Sequence, residues 1–403
     1  MPQKSSLKDV CRVVFFEPYP MGLGGNFLTQ RLILERLDRG KFYPIVLAPM
    51  EGVALERFRA MGVECVAMPP PGALGRYGGA VLRAGVLGRL KSAFDLVRYN
   101  LQVARFLRKR NIDVVYANCV RAQLSVGLGA WLSRVPSLLY IKGELDNPII
   151  DRLCFLLASR MLFFCAQNRD DQYSNLVRWF RRKIGILRIG LDPASIADVE
   201  HRDHSGLRQE LDIDPTCLNV VVLGQLYRPK GQHFAIEALS RLVAEFPRVR
   251  LYLVGDHVIE EYRSYKAALE SLIDERGLSR HVRFTGWRKD ALEIVSLMDM
   301  VIHPSLAEGF GRAVLESMAL GKPVVASAVG GLREAIQDGR NGYLVAPGDV
   351  EAITLRWREL LSSPDLRRRL GREARHTVFA DYLVDDKVIR LAEIWAEMAA
   401  ARR

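Results

Sequence analysis

Two glutamates bracket a Gly-x-Gly turn in the stretch Glu308-Gly309-Phe310-Gly311-Arg312-Ala313-Val314-Leu315-Glu316. The apolar run Met300–His303 precedes it and predicts a buried strand that ends at a loop. The turn then opens an amphipathic helix, whose N-terminus offers N–H groups and the positive end of the helix dipole to a phosphate. Carboxylates beside a bound anion are useful when they accept hydrogen bonds from ligand hydroxyls. The stretch therefore predicts a site for a ligand with phosphates and hydroxyls, such as a nucleotide sugar.

The segments that follow continue this pattern. Gly321–Ser327 predicts a turn and a buried strand, Gly330–Glu334 opens another helix, and Asn341–Val345 predicts a turn and a short strand. With Phe284–Gly286 and the glutamate pair, these segments make residues 282–349 resemble the C-terminal signature of the retaining glycosyltransferases of family 4. The resemblance implies an α/β GT-B fold: two Rossmann-like domains with parallel sheets that face each other across a cleft. Two surface glutamates on a solvated helix are the alternative.

The rest of the chain also alternates strands and helices. Apolar strands are expected at Arg12–Phe16, Ile45–Leu47, Val63–Val66, Asp113–Tyr116 and Ser137–Ile141, and a second series at Asn219–Gly224, Arg250–Gly255 and Val282–Phe284. The polar residues Asp192–Asp214 are interpreted as a linker. We therefore expect an N-terminal Rossmann-like acceptor domain at 1–191 and a C-terminal nucleotide-sugar donor domain at 192–381. By resemblance, a closing helix within about 382–403, around Asp386–Met398, crosses back onto the first domain.

The loop after the first strand of the second domain resembles the family's diphosphate clamp. It spans Gly224–Gly231, and in it Lys230 matches the family's lysine, which neutralises charge on the departing diphosphate. Gln225 stands where arginine is common, and Arg228 could compensate for that missing charge. The alternative for Lys230 is a solvated loop lysine.

The resemblance assigns the other donor-binding residues. Glu308 would bind sugar hydroxyls and act with Lys230 in the catalytic site, Glu316 would hold the ribose hydroxyls, and backbone amides would contact the sugar and phosphate. The amides are those of Gly309, Phe310 and Gly311, the base-binding loop is Gly286, Trp287 and Arg288, and the N-terminal glycine loop contains Gly24 and Gly25. Many members place a histidine where this chain has Lys142, which is either a sugar or phosphate contact or a surface residue.

Other polar clusters are weaker candidates. His303 is expected to be a packed residue at a strand end, and His201 and His204 lie in the polar linker. Asp212-Ile213-Asp214 imitates an Asp-x-Asp metal motif, but a turn before Pro215 is the better interpretation. We expect no essential metal and no cofactor besides the donor substrate.

Composition limits the partners and the compartment. The 403 residues carry a net charge of +12, and the region from Arg76 to Arg110 holds nine basic residues and one acid. Membrane contact is an open alternative for Leu74–Lys91, whereas Leu101–Arg110 is expected to be an ordinary domain helix. This basic region contains few interleaved aromatic residues, which argues against nucleic-acid binding. Six scattered cysteines, no secretory signal and no apolar run of spanning length predict a cytoplasmic protein, either soluble or peripheral at the inner face of the cell membrane.

The expected function is that of a retaining hexosyltransferase. It would move a sugar from a nucleoside-diphosphate sugar to a lipid-linked or glycan acceptor in surface polysaccharide or glycolipid synthesis. A soluble acceptor and a non-catalytic nucleotide-sugar-binding protein are the alternatives. Retention and the roles of the individual residues follow from the resemblance alone.

Overall fold

The computed structural model describes residues 10–72, 86–142, 148–188, 190–257 and 263–402. The chain divides into two compact units, one formed by Met1–Arg188 with Val384–Arg403 and the other by Ile189–Leu383. The sequence prediction placed these divisions after residues 191 and 381. Each unit contains a parallel β-sheet with helices, which confirms the predicted α/β class with two parallel-sheet domains.

The N-terminal unit contains, in its described residues, a seven-stranded parallel sheet in the order β3-β2-β1-β4-β5-β6-β7. The strands are β1 (Cys11–Phe16), β2 (Phe42–Ala48), β3 (Glu64–Ala67), β4 (Val114–Ala117), β5 (Ser137–Ile141), β6 (Arg160–Phe163) and β7 (Ile184–Ile186). The helices are α1 (Gly25–Arg36), α2 (Val53–Ala60), α3 (Val86–Lys109), α4 (Val120–Leu132), α5 (Pro148–Leu157), α6 (Ala166–Phe180) and the C-terminal helix (Val384–Ala400). The central strands are buried because helices cover both faces of such a sheet.

Alternate residues of the central strands face different helices. Val14 and Phe16 belong to the apolar cluster that α3, α4 and α5 cover, whereas Phe15 points to the other face. There the indole of Trp395, in the C-terminal helix, lies 5.3 Å from the Phe15 ring and 5.4 Å from the Tyr116 ring, measured between centroids. The C-terminal helix therefore packs on the face of the N-terminal sheet opposite α3, α4 and α5.

The C-terminal unit contains, in its described residues, a six-stranded parallel sheet in the order β10-β9-β8-β11-β12-β13. The strands are β8 (Leu218–Leu223), β9 (Val249–Val254), β10 (Val282–Gly286), β11 (Met300–His303), β12 (Val324–Ser327) and β13 (Tyr343–Val345). The helices are α7 (Pro193–Glu200), α8 (Ser205–Glu210), α9 (Gln232–Ser240), α10 (Arg263–Glu275), α11 (Ala291–Ser296), α12 (Arg312–Ala319), α13 (Leu332–Ala335), α14 (Val350–Ser362) and α15 (Pro364–Asp381). Because all strands run in one direction, the loops after β8, β10 and β11 lie at one edge of the sheet, where α/β proteins bind ligands.

The segment Asp192–Asp214 is not an irregular linker. It forms α7 and α8, and α7 begins at an N-cap in which the Asp192 side chain accepts a hydrogen bond from the Ala194 N–H. The interpretation of Asp212-Ile213-Asp214 as a turn agrees with the geometry, since Asp214 Oδ1 accepts the Thr216 N–H at 2.8 Å. Among the described residues, no group of three or more His, Cys, Asp or Glu side chains is arranged to hold a metal ion.

A buried carboxyl group lies directly after β1. Glu17 is fully buried, and its two oxygens accept hydrogen bonds from the Tyr19 N–H and from Gln30 Nε2, both at 2.8 Å. Burial raises the pKa of Glu17 to about 7, although the Tyr19 hydrogen bond and the charge of Lys142 oppose this rise. The carboxyl group therefore titrates near neutral pH in the folded protein.

Truncation of Trp395 tests the attachment of the C-terminal helix. Trp395 is fully buried, so Trp395→Ala should lower the free energy of unfolding of the N-terminal unit by about 3–5 kcal/mol. Ile389→Ala on the same helix is the matched control: its side chain is 59% exposed and its loss should change stability by at most about 0.5 kcal/mol. Urea denaturation measures both. Equal effects of the two substitutions would contradict the packing.

Removal of the Glu17 charge tests its buried environment. The unfolded carboxyl loses its proton near pH 4.5 and the folded one near pH 7, so the folded state holds the extra proton between these values. Wild-type stability relative to Glu17→Gln should therefore be greatest below pH 4.5 and fall as pH rises toward 7, by about 3 kcal/mol. Denaturant unfolding at pH 5 and pH 8 measures this difference. Glu56→Gln, at an exposed site on α2, should show no such trend.

Candidate active site

Two loops of the C-terminal unit meet at the edge of its sheet. The loop after β8 forms a 3-10 turn at Arg228–Lys230 and enters α9 through Gly231, whose φ is +70°. The loop after β11 lies against it, because the Leu306 N–H donates to the carbonyl oxygen of Pro229 at 2.7 Å. A side chain at Gly231 would collide with the carbonyl oxygen of Pro304. This backbone contact brings Lys230 to Glu308.

The carboxylate of Glu308 is the centre of a polar cluster. Lys230 Nζ donates to its Oε1, and His303 Nε2 and Ser305 Oγ lie 2.8 and 3.2 Å from the same oxygen. The Glu308 side chain is only 10% exposed. Burial alone would raise the pKa of Glu308, but the hydrogen bond from His303 and the charges of His303 and Lys230 lower it to about 2. Glu308 is thus held as a carboxylate, and Oε2 lies outside these three contacts.

This geometry brings the two predicted catalytic residues, Lys230 and Glu308, together with His303 and Ser305. Sequence reasoning expected His303 to be a packed residue at a strand end, and it is indeed 3% exposed at the end of β11. Its hydrogen bond to Glu308 was missed, and so was that of Ser305. Their short spacing from Glu308, on the loop that leaves a buried strand, was the available signal.

The glycine loop opens α12 as predicted. Gly311 is the N-cap of this helix with φ +77°, and the first turn contains neither an acidic side chain nor a side-chain cap. A second backbone contact fixes the loop, because the Gly331 N–H donates to the Gly309 carbonyl oxygen at 2.9 Å. A side chain at Gly330, where φ is +49°, would collide with the carbonyls of Glu308 and Gly309. The first turn of α12 therefore contains no acidic side chain that would neutralise the positive end of the helix dipole.

Phe310 and Glu316 already have partners. Phe310 is 5% exposed and its ring lies 5.7 Å from that of Tyr382, so its side chain anchors the loop and its backbone remains the predicted ligand contact. Glu316 lies in the second turn of α12 and accepts a hydrogen bond from Arg312 Nε at 2.9 Å. Sequence reasoning missed Arg312, although its i,i+4 spacing from Glu316 signals such a pair.

The predicted base-binding loop follows β10 at the same edge of the sheet. The Gly286 carbonyl accepts the Gly255 N–H at 3.0 Å, and the Trp287 side chain is 73% exposed. The Arg288 guanidinium donates to Asp290 at 2.7 and 2.8 Å and to Glu210 at 2.5 Å, and these hydrogen bonds raise its pKa. The Trp287 side chain is thus open to solvent, whereas the Arg288 side chain links α8 to the loop.

Gln225 and Arg228, from the predicted diphosphate clamp, are both exposed at the edge of the same sheet. The Gln225 carbonyl accepts a hydrogen bond from Gln232 Nε2 at 2.9 Å, which ties the loop to the first turn of α9. The clamp therefore has a fixed backbone and two solvent-facing side chains beside Lys230.

The N-terminal unit presents its predicted residues after β1 and β5. Gly24 and Gly25 lead into α1, and a side chain at either position would meet no described atom within 4 Å. Lys142 follows β5, with Nζ 5.7 Å from the centroid of the Tyr140 ring. Sequence reasoning missed Glu17 and also Asn118, a fully buried residue whose side-chain nitrogen and oxygen have no hydrogen-bond partner in the described part of the chain. The pairing of Phe16 with Ala117 makes Glu17 and Asn118 neighbours.

Comparison with known proteins gives a family match for the C-terminal part of the chain. Residues 205–377 match the model of the family "Glycosyl transferases group 1". A lipopolysaccharide core biosynthesis glycosyltransferase of Rhizobium meliloti is 33% identical over 43% of this chain and 48% of its own length. D-inositol 3-phosphate glycosyltransferase of Corynebacterium urealyticum is 30% identical over 54% and 52%. The chain spans about half the length of the curated relatives that head the comparison.

Solved structures show the same fold over nearly the whole chain. HepE of Anabaena, in complex with UDP and glucose, has a TM-score of 0.74 at 22% identity and covers 95% of this chain and 99% of its own. A glycosyltransferase from Rickettsia africae has a TM-score of 0.81 at 18% identity, with 97% and 99% covered. The predicted GT-B fold is confirmed, and residues 205–377 of the chain are a glycosyl transferases group 1 region.

Proposed function

We propose that this protein transfers a hexose from a nucleoside-diphosphate sugar, with a UDP-hexose as the first candidate donor. The observation that carries the proposal is the contact of Lys230 with Glu308 beside the uncapped N-terminus of α12. In this proposal, one ammonium group and one helix dipole would bind the diphosphate, and the neighbouring carboxylate would bind sugar hydroxyls. The UDP complex of the similarly folded HepE supports the choice of base.

The charges of the two glutamates favour binding roles over proton transfer. Glu308 has a pKa of about 2, so at neutral pH it has no proton to give and is a weak base. Glu316 is paired with Arg312. Retaining glycosidases instead need a carboxylate nucleophile and a carboxyl acid that changes its protonation. Transfer with retention would therefore proceed by attack on the face from which the phosphate leaves, with a phosphate oxygen taking the acceptor's proton.

In this mechanism the chain positions the donor and stabilises charge. Lys230 exchanges its contact with Glu308 for the diphosphate, while Glu308 turns to sugar hydroxyls and Glu316 to ribose hydroxyls. The amides of Gly309–Gly311 complete the anion site. Gln225 and Arg228 contact the diphosphate from the same loop as Lys230, and Trp287 with Gly286 borders the base.

The acceptor we propose is a lipid-linked glycan of surface polysaccharide or glycolipid synthesis. The named role of the Rhizobium relative in lipopolysaccharide core biosynthesis supports this choice. The six cysteines are thiols rather than disulfide partners, which supports a reducing, cytoplasmic compartment. No helix of the described residues is long and apolar enough to span a bilayer, so contact with a membrane would be peripheral. No essential metal is part of the proposal.

Loss of the Lys230 charge tests the function. Lys230→Ala should lower kcat for UDP-hexose turnover by about 10²–10³-fold, on the scale of one removed donor to a developing anion. Radiolabelled donor, with transfer to water or acceptor as the readout, measures this. Lys41→Ala, at a lysine of the N-terminal unit whose side chain is 78% exposed, is the matched control. Near-wild-type turnover by Lys230→Ala would refute the assignment. A thermal shift with UDP-, GDP- or ADP-sugars but no turnover with any of them would indicate the non-catalytic alternative.

Displacement of the glutamate loop tests the geometry. Gly330→Ala introduces a side chain that collides with the carbonyls of Glu308 and Gly309, and kcat/KM should fall on the order of 10²-fold. Gly339→Ala is the control, since Gly339 has φ +73° but a side chain there would meet no described atom within 4 Å. Both substitutions incur the left-handed strain of about 1–2 kcal/mol. Steady-state kinetics measure both variants, and an equal fall in kcat/KM would show that backbone strain alone causes the effect.

A further inference from the structure

One side of α3 exposes large apolar residues to solvent. Leu90, Phe94, Val97 and Leu101 are 62%, 63%, 43% and 41% exposed, respectively. Their spacing of four, three and four residues places them in one stripe along the helix. The second half of α3 is different, because Val103 and Leu107 are fully buried in the core. The exposed stripe is therefore confined to the N-terminal half of the described helix.

The opposite side of this half-helix is buried, and it carries polar side chains beside Tyr99 of the core cluster. Ser92, Asp95 and Asn100 are 7%, 4% and 1% exposed. Ser92 Oγ donates to the Gly88 carbonyl at 2.9 Å, and Asn100 Oδ1 accepts the Gly129 N–H of α4 at 2.8 Å. An ordinary surface helix has its apolar side inward and its polar side in water. Here the burial of Tyr99 and the hydrogen bond of Asn100 to α4 orient the helix so that the apolar stripe faces outward.

Helix α5 adds a second apolar stripe on the same side of the sheet. Ile149, Leu153 and Leu156 are 80%, 44% and 62% exposed. The inner side of α5 contributes Cys154 and Phe155 to the same core cluster as the inner side of α3. Helix α4 packs against both α3 and α5 and exposes 63% of Trp131. We call the outward surface of α3, α4 and α5 the outer helix surface.

The charges of the outer helix surface are all positive. The acids of these three helices are Asp95 and Asp151, and both are buried, at 4% and 5% exposure. The exposed charged side chains described on them are basic, among them Lys91, Arg98, Arg105, Arg108 and Arg152. Arg98 also lies over the Phe94 ring, with 5.9 Å from its guanidinium carbon to the ring centroid. Apolar side chains among cations complement the acyl chains and headgroups of an anionic bilayer.

We propose that the outer helix surface binds an anionic lipid bilayer. Leu90, Phe94, Ile149 and Leu156 enter the boundary between headgroups and acyl chains, and the arginines contact lipid phosphates. Membrane contact was an open alternative for Leu74–Lys91, of which 74–85 lie outside the described residues. The proposed membrane contact lies instead at Leu90–Leu101 and on α5. It rests on and deepens the proposed lipid-linked acceptor, but the vesicle-binding measurement itself contains no sugar donor.

Vesicle co-sedimentation of the full chain tests the proposal. Wild type should bind vesicles of phosphatidylglycerol with phosphatidylcholine at least about tenfold more than phosphatidylcholine alone, and salt should weaken this binding. Phe94→Ser with Ile149→Ser, and separately Arg98→Glu with Arg105→Glu, should each lose about tenfold in partitioning. Ile389→Ser and Arg390→Glu are matched controls, since they lie on the C-terminal helix across the sheet and should bind as wild type does.

Three outcomes would overturn the inference. Equal binding to neutral and anionic vesicles would remove the electrostatic part, and equal binding by all variants would assign the contact to another surface. A concentration-dependent dimer in sedimentation velocity that Phe94→Ser with Ile149→Ser abolishes would make a second copy the occupant. All substituted side chains are exposed, and thermal unfolding verifies that each variant is folded. Intact donor turnover by a variant that no longer binds vesicles would separate this result from the proposed chemistry.

Discussion

The backbone contact between the loops after β8 and β11 is the constraint on which the candidate site depends. The two strands are neighbours in the sheet, so their loops leave the same edge side by side. The hydrogen bond from Leu306 to Pro229 and the lack of a side chain at Gly231 let the loops touch. As a result Lys230 and Glu308, far apart in sequence, share a hydrogen bond. The main-chain contact therefore fixes where the Lys230 and Glu308 side chains begin, which restricts the positions that these flexible side chains can reach.

Most strands of the two sheets could be predicted from the sequence, because buried parallel strands are continuous apolar runs. Ser137–Ile141 and Met300–His303 have the predicted bounds. Two strands were missed, β6 (Arg160–Phe163) and β7 (Ile184–Ile186). The first lies within a longer apolar run that was considered only as a membrane span, and the second has three residues with a central glycine and carries no periodic signal. Helices α7 and α8 were missed because their polar surface resembles a linker. Such short elements are defined by their packing on neighbours, which a local pattern does not contain.

The candidate site could be predicted as a set of residues but not as a set of contacts. The order of Lys230, Glu308 and the glycines along the chain indicated the donor loops through a family resemblance. Two contacts depend on which strands and helices are adjacent: the hydrogen bond between His303 and Glu308, and the hydrogen bond from Arg288 to Glu210. Adjacency follows from sheet order, and sheet order is a property of the whole unit.

The pairing of Lys230 with Glu308 has a consequence for selectivity. Glu308 acts as an internal counter-ion, so an incoming anion must compete with a carboxylate that His303 and Ser305 already hold in place. In the proposed mechanism, a free nucleotide would offer no sugar hydroxyls to the carboxylate that it displaces, whereas an intact sugar donor would. In the proposed mechanism, the same counter-ion would weaken the hold on the spent nucleotide and thereby limit product inhibition.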